Sequence, residues 1–365
     1  MLLAVIVATV VVAAGYAGYA YWVTAAPPGE TTLIVYTYPS LFGGSCSAPA
    51  FDTVFGAFAA AHGVHFDIEC PMGTLSSTLI GQAASPRADL VIGLDEVTAP
   101  QADEQGVLVP YASPQLAHVP TSLVSELSPD HAVTPYESGF LAIDYSLGLE
   151  AATGGRVATS SFDDFASNSS WASALTIEDP TVDITGEEFL LWQIAYAEAV
   201  AHENWTEFWK AVDPNVHVAP DWGTAFSEFN TTGSAESAVV SYATDPAYAA
   251  YTGTSGAFNA TLSTASGHRY GWQAVYGLGI VRGSAHIALD EAFIDWFLSG
   301  TVQSLIPTNE WEYPANETTP LPPSFSAAVD PAGVIPLNPT IPGPTVVAEL
   351  GDWLNEWQKL ENAYG

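Results

Sequence analysis

The amino-acid sequence predicts an α/β protein of two domains built on a parallel sheet. Three observations predict it. Short runs rich in β-branched residues alternate with stretches whose apolar residues recur at helical spacing, the signature of βαβ units. With 365 residues, 48% of them hydrophobic and 12% aromatic, the chain is long and apolar enough for two cores. A second alternating region begins near Val133, and Gly271–Arg282 then returns a strand to the first.

The elements follow in order. Leu2 to Val23 carries no charge, and its roughly 22 residues could span a hydrocarbon core of about 30 Å. Tyr16, Tyr19, Tyr21 and Trp22 crowd its distal end, as an interfacial aromatic belt does. Val23-Thr24-Ala25 also resembles a small-residue cleavage site, so residues 1–24 are an uncleaved membrane anchor, which we favour, or a signal segment. Either exports the remainder, and no cysteine stands near the segment's end to carry a lipid. Residues 25–32, with two prolines and a glycine, form an extended linker.

Leu33–Tyr38 opens the folded part as a buried strand. Pro49 to Ala61 places Phe51, Val54, Phe55 and Phe58 at helical spacing, with proline near the start and Gly63 as the stop. Val64–Glu69 is a second strand, Leu75–Ala84 a second helix and Asp89–Asp95 a third strand. Val133–Tyr145 reads as a strand crossing into the second domain, whose helices cover 186–201, 205–212 and 225–229. Ala238–Tyr242 is another buried strand, and Thr244-Asp245-Pro246 a turn, because proline disfavours a helical conformation for the residue before it. After Gly271–Arg282 come a helix over 289–298, a second crossing at Ile306–Pro314, an extended proline-rich stretch over 320–344 and a final helix over 346–364.

The formal net charge is −34, from 40 acidic and only 6 basic residues. Such a field repels polyanions and attracts cations, which excludes a nucleic-acid partner. Solubility in strong brine is the main cause we assign to the acidity. Cys46 and Cys70 are too few for a zinc site. Outside the cell they could close a disulfide loop of about 25 residues; free buried thiols are the alternative. Sequons at Asn168, Asn204, Asn230, Asn259 and Asn316 agree with export.

No nucleophile elbow, phosphate loop, His-Glu-x-x-His or dinucleotide fingerprint occurs, and the eight histidines are scattered. Asp163-Asp164 and Glu187-Glu188 fall at predicted helix starts, where carboxylates complement the macrodipole. The expectation is no enzyme, no metal site and no cofactor. The aromatic set differs. Tyr38, Trp222, Tyr242, Tyr248 and Trp311 fall at strand ends or in crossover loops of both domains. Tyr242, Asp245 and Tyr248 emerge together at a strand's carboxyl end, where open α/β sheets collect ligands. Ring faces beside a carboxylate suit an organic cation. Two core tyrosines and a turn aspartate would account for the same stretch without a ligand.

Several blocks, taken in order, resemble the thiamine-binding proteins of ABC importers. They are Val35–Tyr38, Ala88–Asp95, Glu178–Thr181, Asp221–Gly223, Ser241–Tyr248, Ile306–Pro314 and Glu356–Gln358. The similarity covers nearly everything after the linker, and Tyr242–Tyr248 and Ile306–Pro314 are its most discriminating parts. The resemblance implies a two-lobed type II periplasmic-binding fold that closes on thiamine or its phosphates and delivers them to a membrane permease. Lobe 1 would take residues 33–132 and 258–308, and lobe 2 residues 133–257 and 309–365. Carried over by match, Trp222, Tyr242, Ala243, Thr244, Tyr248 and Trp311 would line the cleft, with Tyr38 and Gly73 from lobe 1.

Three positions depart from the family's pattern. Met72 stands where a carboxylate is expected, Asp183 where a small hydroxyl residue is usual, and Asp245 replaces one more hydroxyl. Hydroxyls near a helix start suit a phosphate and carboxylates repel it, so free thiamine is expected over thiamine phosphate. A ferric-ion or polyamine receptor of the same fold is the alternative, and a secreted hydrolase a more distant one. Iron receptors of this kind show adjacent tyrosines, whereas Tyr242 and Tyr248 are separated.

Overall fold

Strand β5 (Thr134–Ser146) threads both halves of the molecule and is buried along all but its last residue. The computed structural model describes residues 31–43, 46, 48–231, 237–254 and 257–365. The anchor or signal segment expected over 1–24 therefore lies outside the described residues, as does most of the linker. Among the described residues no helix is long and apolar enough to cross a membrane.

The first half opens with β1 (Thr31–Tyr36), α1 (Ala48–His62), β2 (Val64–Glu69), α2 (Leu75–Gly81), β3 (Leu90–Leu94), α3 (Thr98–Glu104) and the short β4 (Leu108–Val109). Strand β1 starts two residues before the expected position, inside the predicted linker, because Thr31 and Thr32 pair with Val64 and His65. Helix α1 buries Phe51, Phe55 and Phe58, each 1% exposed, and Phe55 and Phe58 pack edge-on to Phe293. Burying one such ring contributes about 1.5–3 kcal/mol, which explains why the helix forms against the sheet. Gly63, at φ +64, ends it in the left-handed conformation that glycine adopts without strain.

The second half contains β6 (Leu175–Glu178), α4 (Ile184–Tyr196), α5 (Thr206–Val212), β7 (His217–Ala219), α6 (Trp222–Phe229), β8 (Ala238–Tyr242), α7 (Asp245–Thr252) and β9 (Phe258–Thr261). The expected helix over 186–201 begins earlier, since Asp183 caps it, and its last turn Ala197–Ala201 is a π-helix. Two local expectations are corrected. Trp222 is the first residue of α6, capped by Asp221, and not part of a preceding loop. Asp245-Pro246 begins α7 and is not a free turn, because proline in a helix's first turn lacks only an N–H that would have had no partner.

A hairpin of β10 (Ser263–Ala265) and β11 (His268–Gly271) follows, turning through Ser266 and Gly267 at φ +51 and +80. Positive φ at both turn positions matches the right-handed twist of the strands. Then come β12 (Gln273–Val281), α8 (Ile287–Phe297), α9 (Ile306–Asn309), β13 (Tyr313–Pro314), β14 (Val334–Pro336) and α10 (Gly343–Tyr364). The proline-rich stretch is less extended than expected: β14 pairs with β11, and 3-10 turns cover Pro323–Ala327 and Asn338–Thr340.

The main sheet runs β2-β1-β3-β12-β5-β8-β6-β7. It is mixed and not purely parallel. The βαβ pairs β1–β2, β1–β3, β6–β7 and β6–β8 are parallel, whereas β12 and β5 pair antiparallel to β3, to each other and to β8. Strands that return between halves without a crossover helix arrive from the opposite end, which makes them antiparallel. One core draws on Leu33–Tyr136 and Val275–Ala315, and the other on Phe140–Ala274 with Leu337–Leu360 and Val97, beside a small satellite around Phe229 and Phe258.

Candidate functional site

The site is assembled where the two cores meet. Tyr38 follows β1 by two residues, and its ring lies on Gly93, where an added Cβ would overlap the ring. Gly93 also holds φ +104, so glycine is required there twice over. The Tyr38 hydroxyl lies 3.0 Å from that of Tyr136 and donates to Glu310 Oε2 at 2.9 Å and, more weakly, to Glu137 Oε1 at 3.5 Å. Glu310 Oε1 accepts the backbone N–H of Phe42, so the loop after β1 is fastened to the segment carrying Trp311.

Trp311 sits between Glu310 and Glu312 with φ +62, a conformation costing roughly 1–3 kcal/mol in a non-glycine residue and typical of functional sites. Its indole meets Tyr248 edge-on at 5.0 Å and Tyr251 at 5.2 Å; both tyrosines project from α7 and are exposed. The Glu312 carboxylate occupies the space over Gly139 of β5, which any side chain would fill.

From the second half, Trp222 donates Nε1–H to Ser241 Oγ at 2.9 Å and stacks on Phe226 at 5.1 Å. Ser241 in turn donates to Asp245 Oδ2, which also accepts the Tyr242 N–H at 3.2 Å. Asp183 Oδ1 caps α4 by accepting Thr185 and Gly186 N–H, and its Oδ2 accepts Trp222 N–H at 3.1 Å. Both aspartates thus hold the aromatic platform in place. The Tyr242 hydroxyl lies 3.0 Å from that of Tyr276 on β12, whose ring is 6.3 Å from Tyr38. Four phenols therefore run from one half to the other.

Acids dominate the electrostatics. Burial, then repulsion from Glu310 and Glu312, pushes Glu137 far above the usual carboxylate range. Glu312 is raised by burial and by Asp245, and Glu310 is pushed up to about 7 by burial. A second group lies beside Tyr242 and Tyr276. There burial raises Glu188, with Glu96 next in effect, and lifts Glu96 itself to about 8.

None of the chain's six basic side chains serves these acids. Arg87, Lys210 and Lys359 pair with Glu69, Glu207 and Glu356. Arg156, Arg269 and Arg282 bind backbone carbonyls elsewhere. Such a junction can hold protons or receive an organic cation. Among the described residues no group of histidine, cysteine and carboxylate side chains is arranged to hold a metal ion.

The expected residues divide by place. Tyr38 and Tyr242 are joined through Tyr276, and Tyr248 packs on Trp311, while Trp222, Asp183 and Asp245 form the platform behind Tyr242. Ala243 is buried and lends its backbone to Phe140 and Val329; Thr244 is fully buried beside Glu312. Met72 is 97% exposed, and no hydrogen bond or aromatic contact joins it or Gly73 to the others. Cys46 and Cys70 form a disulfide that pins the loop after β1 to the end of β2. Sequence reasoning passed over Tyr136, Glu137, Tyr276, Glu310 and Glu312. The one available signal was that Glu310 and Glu312 flank Trp311 within a singled-out block. Surface hollows of about 350 and 390 Å³ around α4 are lined by none of these residues.

No family model matches the chain. It is 24% identical to a thiamine-binding periplasmic protein of Brucella suis over 342 residues, 91% of this chain and 92% of that one. A solved periplasmic thiamin binding protein superposes with a TM-score of 0.74 at 22% identity, covering 92% of this chain and 98% of that one. The fold is that of a periplasmic binding protein. That fold also carries other cargo: iron-bound HitA from Pseudomonas aeruginosa superposes with a TM-score of 0.69 at 17% identity, covering 92% and 100% of the two chains.

Proposed function

We propose that this chain is an extracytoplasmic solute-binding protein that captures thiamine and delivers it to an ABC permease, and that it is not an enzyme. One observation carries the reading: the Trp311–Tyr248 aromatic pair lies on the segment where Glu310 and Glu312 flank Trp311, and no basic side chain neutralises those acids. Thiamine supplies what is missing, a permanent cation on a flat ring, and a desolvated cation–π contact contributes about 2 kcal/mol or more. The similarity to thiamine-binding periplasmic proteins along 91% of the chain supports the same cargo.

The two lobes would close on the vitamin, with Tyr38 from the first, Trp222, Tyr242 and Tyr248 from the second, and Trp311 from the segment that crosses between them. Residues 1–24 would tether the protein to the outer face of the membrane as an uncleaved helix; sequencing the mature amino terminus tests that. Titration calorimetry of the purified protein with thiamine tests the cargo. Binding with quenched tryptophan fluorescence supports it. Bound iron in native mass spectrometry, with no response to thiamine, would favour the iron-receptor alternative.

A further inference from the structure

We propose that Glu137, Glu310 and Glu312 form a proton-exchanging subsite, in which the cationic ring of the cargo, entering beside Trp311, takes the place of protons that these side chains otherwise hold. The inference rests on the thiamine reading and adds to it the groups that recognise charge and the coupling to pH.

Three features of the geometry support it. The three carboxyls come from two segments that meet at one place, since Tyr38 reaches both Glu137 and Glu310, while Glu310 and Glu312 flank Trp311. Glu137 and Glu312 are 2% and 5% exposed, yet each has a buried carboxyl oxygen without a hydrogen-bond partner. The Thr244 hydroxyl, fully buried, faces Glu312 and favours its charged form, the form a bound cation would leave there. Buried polar atoms are nearly always partnered, so these carboxyl oxygens call for a proton, a water or a ligand to complete them.

Burial, and repulsion among the carboxylates at Glu137 and Glu312, outweigh the hydrogen bonds that favour ionisation, those of Tyr38 and Tyr136 to Glu137, of Tyr38 and the Phe42 N–H to Glu310 and of Thr244 to Glu312. Tyr38 and Tyr136 face it from one side, and Asp245 faces Glu312 from the other. No basic residue approaches, because all six are engaged elsewhere. Like charges this close cannot all ionise unaided, so the empty site keeps protons. An arriving fixed cation reverses that preference, and the protons leave to solvent as the ring enters. The direction of the shift at Glu310, up to about 7, agrees.

Calorimetric titration of the full chain with thiamine between pH 6 and 8, in buffers of different ionisation heat, tests this. The expected results are net proton release on binding and an affinity that rises with pH, by up to about tenfold per unit for each proton displaced. Glu312→Gln and Glu310→Gln should each reduce the proton release and flatten the pH profile; the wild-type titration decides the matter if a variant does not fold. Thiamine binding with no proton release and a flat profile overturns the subsite and leaves the cargo reading standing. No binding of thiamine at any pH overturns both.

Discussion

The Tyr38 hydroxyl donates to Glu310 Oε2 at 2.9 Å, across 272 residues of chain. That bond fastens the loop after β1 to the strained turn that presents Trp311. Replacing Tyr38 with phenylalanine strips Glu310 and Glu137 of a donor while keeping the ring over Gly93. Leaving a buried acceptor unpaired costs about 1–3 kcal/mol. Tyr38→Phe should therefore melt earlier than wild type and bind thiamine more weakly, both measurable in one thermal-shift series with and without vitamin.

The left-handed backbone at Trp311 separates two effects that usually travel together. Trp311→Ala and Trp311→Gly both lose the indole that meets Tyr248 and Tyr251, so both should lose about tenfold or more in thiamine affinity. Only glycine relieves the strain at φ +62. In urea unfolding the glycine variant should be the more stable of the two by about 1 kcal/mol, and the reverse order would contradict the strained conformation.

Stability should fall as pH rises. Glu310 is raised to about 7 in the folded chain, and Glu96 and Glu187 to about 8, all mainly by burial. The folded state then binds more protons than the unfolded one above the ordinary glutamate value. Their stabilising contribution is complete below about pH 4.3 and is lost as pH climbs through 7 to 8. The melting temperature of the free protein should drop from pH 5 to pH 8, and saturating thiamine should offset part of the loss.

The Cys46–Cys70 disulfide closes a loop with a sequence separation of 24. In the chain-entropy model a loop of that size contributes about 3 kcal/mol. Reduction, or Cys70→Ser, should lower the melting temperature. It should also weaken thiamine binding, because the same loop bears Phe42, whose N–H holds Glu310.

Charge selection should exclude phosphorylated cargo. Asp183 and Asp245 add carboxylates behind the aromatic platform, and no arginine or lysine is near to receive a phosphate. Calorimetry should find free thiamine binding more tightly than its monophosphate. Equal or tighter binding of the monophosphate would overturn this.

Much of the fold was legible wherever local chemistry decides the outcome. Val64–Glu69 and Ala238–Tyr242 are strands with the boundaries expected of them: Val64, Phe66 and Ile68 alternate with polar residues in the first, and the second is a short buried apolar run. Trp222 and Asp245 differ from expectation by a shift at a helix start: Asp221 caps the helix that Trp222 opens, and Pro246 sits in the first turn of a helix where it would equally suit a turn. The mixed sheet was hidden because pairing across the two halves depends on segments far apart, such as Gln273 beside Phe140. Of the site, the aromatic residues were legible from their places at element ends. Glu137 was not, since its neighbours Glu310 and Glu312 lie about 170 residues away and nothing local marks it.

Strand β5 hydrogen-bonds to β12 up to Phe140 and to β8 from Leu141 onward, so one continuous ribbon is stitched into the sheets of both halves. Sliding one half past the other would tear that ladder along its length. A twist of the ribbon at Phe140–Leu141 strains only the rungs there, Ala243 N–H to Phe140 and Leu141 N–H to Trp272, and that point would be the torsion bar on which a mouth above it swings.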